Sequence, residues 1–225
     1  MDNPMNKIPF DPYDFFGYLA SGLLLIVGMD LVLGFPQVLG KDFKVVDTAL
    51  LIIVIYVVGQ IIATPAKALL EEFLIGKVLG RPSINLFREK KPCIRGLIFP
   101  GFYQTLPKQT RRRILAKAWR KGITEKGEDL FLHVRYSRAV LQDQKLMEKL
   151  NSFLNKYGFN RNLCFSALIV GIAILLKGHF YPKTDPELTK YAIIAIAAAV
   201  LLFYRYLKFF RQYSYEMFNF YAGRK

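Results

Sequence analysis

Four apolar runs, bunched rather than dispersed, constrain this chain more than any other feature. They come in two pairs, at about residues 15–33 and 48–63 and again at about 163–181 and 190–210. A hydrophobic content of 53% would suit a soluble protein if the apolar residues recurred at helical or strand periods. Here they form continuous stretches close to the ~20 residues that a helix needs to cross a bilayer. Hydrocarbon offers no partner to backbone N–H and C=O groups, so such a crossing must be helical. The expected fold is all-α: a polytopic membrane protein with four transmembrane helices.

Between the pairs lies a polar segment, residues 64–161, with roughly 20 Lys and Arg against about 8 acids. It holds much of the chain's net charge of +15. The predicted organisation is therefore residues 1–63 as a first transmembrane hairpin, 64–161 as a basic helical domain, and 162–225 as a second hairpin with a tail. The two short turns are nearly charge-balanced, with Lys41, Asp42 and Lys44 in one and Lys183, Asp185 and Glu187 in the other. Four crossings put both termini and the middle segment on one side, and the positive-inside rule makes that side the cytoplasm. Met1 to Asp14 carries acids and prolines instead of a basic leader, which predicts no cleavable signal peptide.

Local signals divide the chain further. Asp11 before Pro12 predicts a capped helix start. Gly17, Ser21 and Gly28 share a face on which another helix can approach closely. Thr64-Pro65 predicts a new helix, with an apolar stripe of Leu69, Leu70, Phe73, Leu74 and Val78, ended by Gly80. Residues 81–104 hold Pro and Gly, and their short apolar pieces suit strands or docking loops. A basic helix is expected over Leu106 to Lys121, with Ile114, Leu115, Ala118 and Trp119 on one face. A single long helix is expected from Glu128 to Tyr157, closed by Gly158, after which Asn160 caps the third span. The tail from Tyr213 onward is aromatic, as a contact segment would be.

Little in the chain points to catalysis. Cys93 and Cys164 form no metal-ligand pattern, and His133 and His179 lie far apart. Glu71-Glu72 fits a solvated face. No enzyme, metal or cofactor is expected. Two polar residues inside the apolar runs, Asp30 and Gln60, are candidate pore-lining groups. The residues with most promise for binding are Lys108, Arg111, Arg112, Arg113, Lys117, Trp119, Arg120 and Lys121. Cations interleaved with an aromatic suit anionic lipids, an acidic cytosolic protein or, with less support, nucleic acid or nucleotide.

Three segments carry a resemblance. They are Asp11 to Leu19 (DPYDFFGYL), Pro65 to Pro82 (PAKALLEEFLIGKVLGRP) and Tyr157 to Asn162 (YGFNRN). They resemble a group of uncharacterised bacterial four-span membrane proteins. The layout is similar to that of membrane components of phage-defence operons, which assemble in the inner membrane and alter its permeability. The charge segregation, together with small-residue faces in spans one and four, points to a non-enzymatic inner-membrane protein that self-associates as a homo-oligomer and engages an acidic cytosolic partner. A role as a membrane-perturbing or pore-forming effector of antiviral defence would follow. The alternatives are a constitutive ion channel or small transporter lined by Asp30 and Gln60, and a membrane tether that binds nucleic acid or nucleotide.

Overall fold

The computed structural model describes residues 12–34, 44–89, 93–123, 127–181 and 186–223. Every regular element among them is helical: α1 (Pro12–Leu33), α2 (Val45–Ala66), a π-helical segment (Lys67–Leu79), α3 (Pro82–Asn85), α4 (Cys93–Ile98), α5 (Lys108–Trp119), α6 (Glu128–Arg135), α7 (Arg138–Leu141), α8 (Gln144–Phe180) and α9 (Pro186–Gly223). The all-α expectation holds, and four helices are long and apolar enough to cross a membrane: Phe15–Leu33, Val45–Asn85, Gln144–Phe180 and Glu187–Gly223. The short apolar pieces between 81 and 104 are helical turns rather than strands. The expected cap at Asp11, and the turn residues Lys41, Asp42, Lys183 and Asp185, lie outside the described residues.

Two compact units are formed. Unit 1 comprises residues 1–71 and 158–203. Its helices meet through missing side chains. A Cβ on Gly22 would stand 1.9 Å from the carbonyl oxygen of Ile55, and one on Gly59 would stand 1.9 Å from that of Tyr18. The crossed pairing, 22 with 55 and 59 with 18, makes α1 and α2 antiparallel with their backbones in contact. The face expected at Gly17, Ser21 and Gly28 is buried and meets α8, with Gly17 against Phe159 and Gly28 against Val170. Gly171 of α8 lies against Ile196 and the Ala192 carbonyl of α9. Lys177 closes the end of α1 by donating to the Leu31 carbonyl at 3.2 Å.

Unit 2 comprises residues 72–157 and 204–225. The tail after Phe203 thus groups with the charged segment and not with the spans that precede it. Its core is bulky: Phe87, Ile114, Leu130, Val134, Leu150, Met217 and Phe218 are all buried. Phe218 packs edge-on against Phe87 with ring centroids 5.0 Å apart. The aromatic tail is core, because Tyr213, Met217, Phe218 and Tyr221 recur at three- and four-residue spacing along one face of α9.

Three helix boundaries differ from expectation, each for a local reason. Pro65 does not start a helix but sits inside one. Proline lacks an N–H and crowds the carbonyl four residues back. The spiral widens just beyond it instead of ending, and Gly80 N–H bonds the Ile75 carbonyl five residues back at 2.7 Å. The buried residues follow at spacings of four and five (Ala66, Leu70, Ile75 and Leu79), so Leu69 and Phe73 of the expected stripe are exposed. Gly80 still ends the spiral, at φ +81. There Asn85 Nδ2 and the Tyr103 hydroxyl donate to the Leu79 carbonyl at 3.3 and 2.8 Å.

The expected helix from 128 to 157 is broken twice, after Arg135 and after Leu141. Ser137 precedes α7, and the Asp143 carboxylate accepts the Leu146 N–H at 2.9 Å as the N-cap of α8. Helix α8 then runs through Gly158, and Asn160 is buried in its middle instead of capping a span.

Candidate functional site: the basic face of α5

Helix α5 begins after Pro107 and turns Ile114 and Ala118 into the core of unit 2. That anchoring divides the eight predicted binding residues into two sets. Arg111 and Lys117 lie toward the buried side. The Arg111 guanidinium donates to the carbonyls of Phe87 and Arg88 at 3.3 and 3.4 Å. Lys117 Nζ donates to the carbonyls of Tyr221 and Ala222 at 2.9 and 3.2 Å. Those carbonyls belong to the last turn of α9, where the helix supplies no N–H and the macrodipole is negative. Lys117 is therefore a helix cap. Burial lowers its pKa from the ordinary lysine value, and the neighbouring Arg113 and Lys121 lower it further.

The second set, Lys108, Arg112, Arg113, Trp119, Arg120 and Lys121, is exposed. Trp119 is 62% exposed and not part of the apolar face on which its spacing placed it. It stands at the end of α5, one residue past the buried Ala118 and beside Arg120. No acidic side chain among the described residues forms an ion pair with these five cations. Two acids of this unit are paired with other cations: Glu128 with Arg81, and Glu216 with Lys149 at 2.9 Å.

No family model, no curated protein and no solved structure matches this chain. The chemistry of the face has to stand on its own residues. Five exposed cations spread along α5 and just past its end, with an indole at that end, can hold carboxylates or phosphates through charge-assisted hydrogen bonds. The indole adds a flat apolar contact beside them. Among the described residues no cluster of His, Cys, Asp or Glu has the arrangement of a metal site.

Asp30 and Gln60 lie in unit 1 at different depths. Gln60 follows Gly59, which meets the backbone of Tyr18, and its amide donates to the Tyr56 hydroxyl at 2.9 Å. Asp30 is twelve residues further along α1 than Tyr18, roughly 18 Å at ~1.5 Å per residue. The helices do not bring the two together.

Sequence reasoning missed one polar pair. Glu71 is not on a solvated face. Its carboxylate accepts from the Arg161 guanidinium at 2.6 Å, with the two side chains 21% and 13% exposed. The partners are ninety residues apart, so no spacing rule could pair them. Glu72 beside it is exposed, as expected.

Proposed function

We propose that this is a non-enzymatic, multi-pass protein of a bacterial inner membrane whose basic helical segment captures an acidic protein partner through α5. The observation that carries this reading is the set of exposed cations along α5, Lys108, Arg112, Arg113, Arg120 and Lys121, none in an ion pair among the described residues, with the exposed Trp119 at the helix end. A fold that needed these cations for itself would pair or bury them, as it does Arg111 and Lys117. With four crossings and this much positive charge, the segment and both termini are cytoplasmic. Self-association is part of the reading. A pore would need several copies, and the likeness in layout to phage-defence membrane components supports a membrane-perturbing effector as its biological role.

The test is a photo-crosslinking amino acid at the exposed position of Ala116, in cells expressing the full chain. The expected result is an adduct with another protein that disappears in Arg112→Gln/Arg113→Gln/Arg120→Gln, while membrane insertion is unchanged. An adduct that persists in the triple variant, or crosslinks to lipid alone, overturns the proposal. The mass of the solubilised protein checks self-association; a monomer rules out the pore-forming extension.

A further inference from the structure

A cavity of about 470 Å³ lies in unit 2, between the turn at residues 99–104 and the part of α9 that follows Phe203. Phe99, Phe102 and Leu207 give it apolar walls, and Arg205, Lys208 and Arg211 bring three cations to it. Neither Asp nor Glu is among the residues that line it. Two polar ties fix its shape. The Tyr204 hydroxyl donates to the Ile98 carbonyl at 3.0 Å, and Arg211 donates twice to the Gln104 carbonyl at 3.2 and 2.8 Å. Arg205 and Lys208 are exposed and lie three residues apart, so both reach the same side of the helix.

We propose that this cavity holds the headgroup of one anionic phospholipid. Three considerations lead there. Three like charges gathered without a counter-charge repel one another, and a phosphate diester among them removes that repulsion. The lining is also amphipathic, with the cations beside Phe99, Phe102 and Leu207, which suits a molecule whose phosphate continues into hydrocarbon. Finally, the helix itself sets the depth. The apolar run of α9 ends at Phe203, and the next turns carry Tyr204, Arg205 and Lys208, the residue types that mark a membrane interface. The volume falls within the ~300–1,000 Å³ of small-molecule sites. A zwitterionic headgroup would place its own ammonium among the cations and bind less well. Soluble phosphate shares the ionic chemistry but leaves the apolar walls unused.

The site differs from the face of α5, so its test must separate the two. The full chain, purified in mild detergent, is titrated with phosphatidylglycerol or phosphatidylcholine and read by native mass spectrometry. One phosphatidylglycerol is expected to bind at least about tenfold more tightly than phosphatidylcholine. Arg205→Gln/Lys208→Gln removes two of the three charges, and Gly101→Leu adds apolar bulk to the cavity lining with all charges kept. A Cβ at Gly101 meets no atom within 4 Å, so the substitution starts in open space, and a thermal unfolding scan of the variant checks that the fold is kept. Both are expected to lose the preference, while Arg112→Gln/Arg113→Gln retains it. The proposal is overturned if phosphatidylcholine binds equally, if Gly101→Leu binds as the parent does, or if the α5 variant loses as much. Displacement by soluble glycerol phosphate at concentrations equal to those of the lipid would also overturn it, making the ligand a free phosphate.

Discussion

Unit 1 and unit 2 are both helical, yet they are held together by opposite kinds of residue. In unit 1 the close contacts are made where side chains are missing, at Gly22 against Ile55, Gly59 against Tyr18 and Gly171 against Ile196. Many of its large apolar residues point outward, Ile61, Ile193, Ile194 and Leu201 being more than 60% exposed, while a smaller set such as Val170 and Ile174 is buried. In unit 2 the bulky residues point inward, and Ile114, Leu130, Val134, Met217 and Phe218 are essentially inaccessible. The contrast is the one expected if unit 1 lies in lipid and unit 2 in water. In lipid there is no hydrophobic gain when helices meet, so association rests on close packing through small residues. In water the same apolar area drives burial at ~25 cal/mol per Å². One device is shared: each unit uses a lysine to close a helix end, Lys177 on Leu31 in unit 1 and Lys117 on Tyr221 and Ala222 in unit 2.

The contrast is broken most severely by truncating the core of unit 2. Phe218→Ala removes a fully buried ring that packs on Phe87 and Phe131, and should cost about 3–5 kcal/mol. Limited proteolysis is expected to cut within residues 72–157 first. By the same logic Ile193→Ala in unit 1, at an exposed lipid-facing position, should leave thermal stability in detergent unchanged. A large loss there would mean that the outward apolar face is packed against protein.

The ion pair of Glu71 and Arg161 sharpens the comparison next. Breaking a buried pair leaves one charge unsatisfied and typically costs about 3–5 kcal/mol, whereas replacing both partners by apolar residues is often neutral. Because both side chains keep some exposure, Glu71→Met should fall below that range, at about 2 kcal/mol. Glu71→Met/Arg161→Met should recover most of the loss. A double-mutant cycle measured by thermal unfolding in detergent decides the matter; strict additivity would mean that the pair is not coupled.

Gly22→Leu follows, with a cost in the ~1–3 kcal/mol range of overpacking. The new side chain must displace the backbone of α2 at Ile55, since no flexible side chain is there to yield. Engineered cysteines on α1 and α2 that crosslink in the parent should crosslink poorly in the variant. Unchanged crosslinking would count against direct backbone contact between the two helices.

Much of this architecture was legible before any coordinates. Apolar runs long enough to span, small residues on one face of α1, and a glycine at position 80 each carry a local physical signal, and each holds. What was not legible depended on distant partners or on a changed period. The stripe after Pro65 was read at 3.6 residues per turn, while the chain winds more slowly there and buries Ile75 in place of Phe73. The N-cap at Asp143 lies inside what reads as one continuous helical pattern from Glu128 to Tyr157. In the basic cluster, charge alone could not separate Arg111 and Lys117, which serve the fold, from the six residues left exposed. That separation needs the carbonyls of Phe87 and Tyr221, supplied by residues as many as 104 positions away.

The smallest expected effect concerns His133. Far from His179 in sequence, it sits edge-on to Tyr221, with its Nε2 3.4 Å from the phenol oxygen. Burial lowers its pKa below the usual 6.5, and the positive charge of Lys121 lowers it further. The unfolded chain therefore binds a proton more readily than the folded one. Above pH 6.5 neither state binds it, and the stability due to the neutral ring is fully present. As pH falls through 6.5 toward the lowered folded value, that stability is lost. Thermal unfolding of the full chain in detergent should thus weaken between pH 7.5 and 5, by less than the glutamate variant loses. His133→Gln should flatten that part of the profile without flattening the rest. A slope unchanged in His133→Gln would show that the acid sensitivity does not come from this ring.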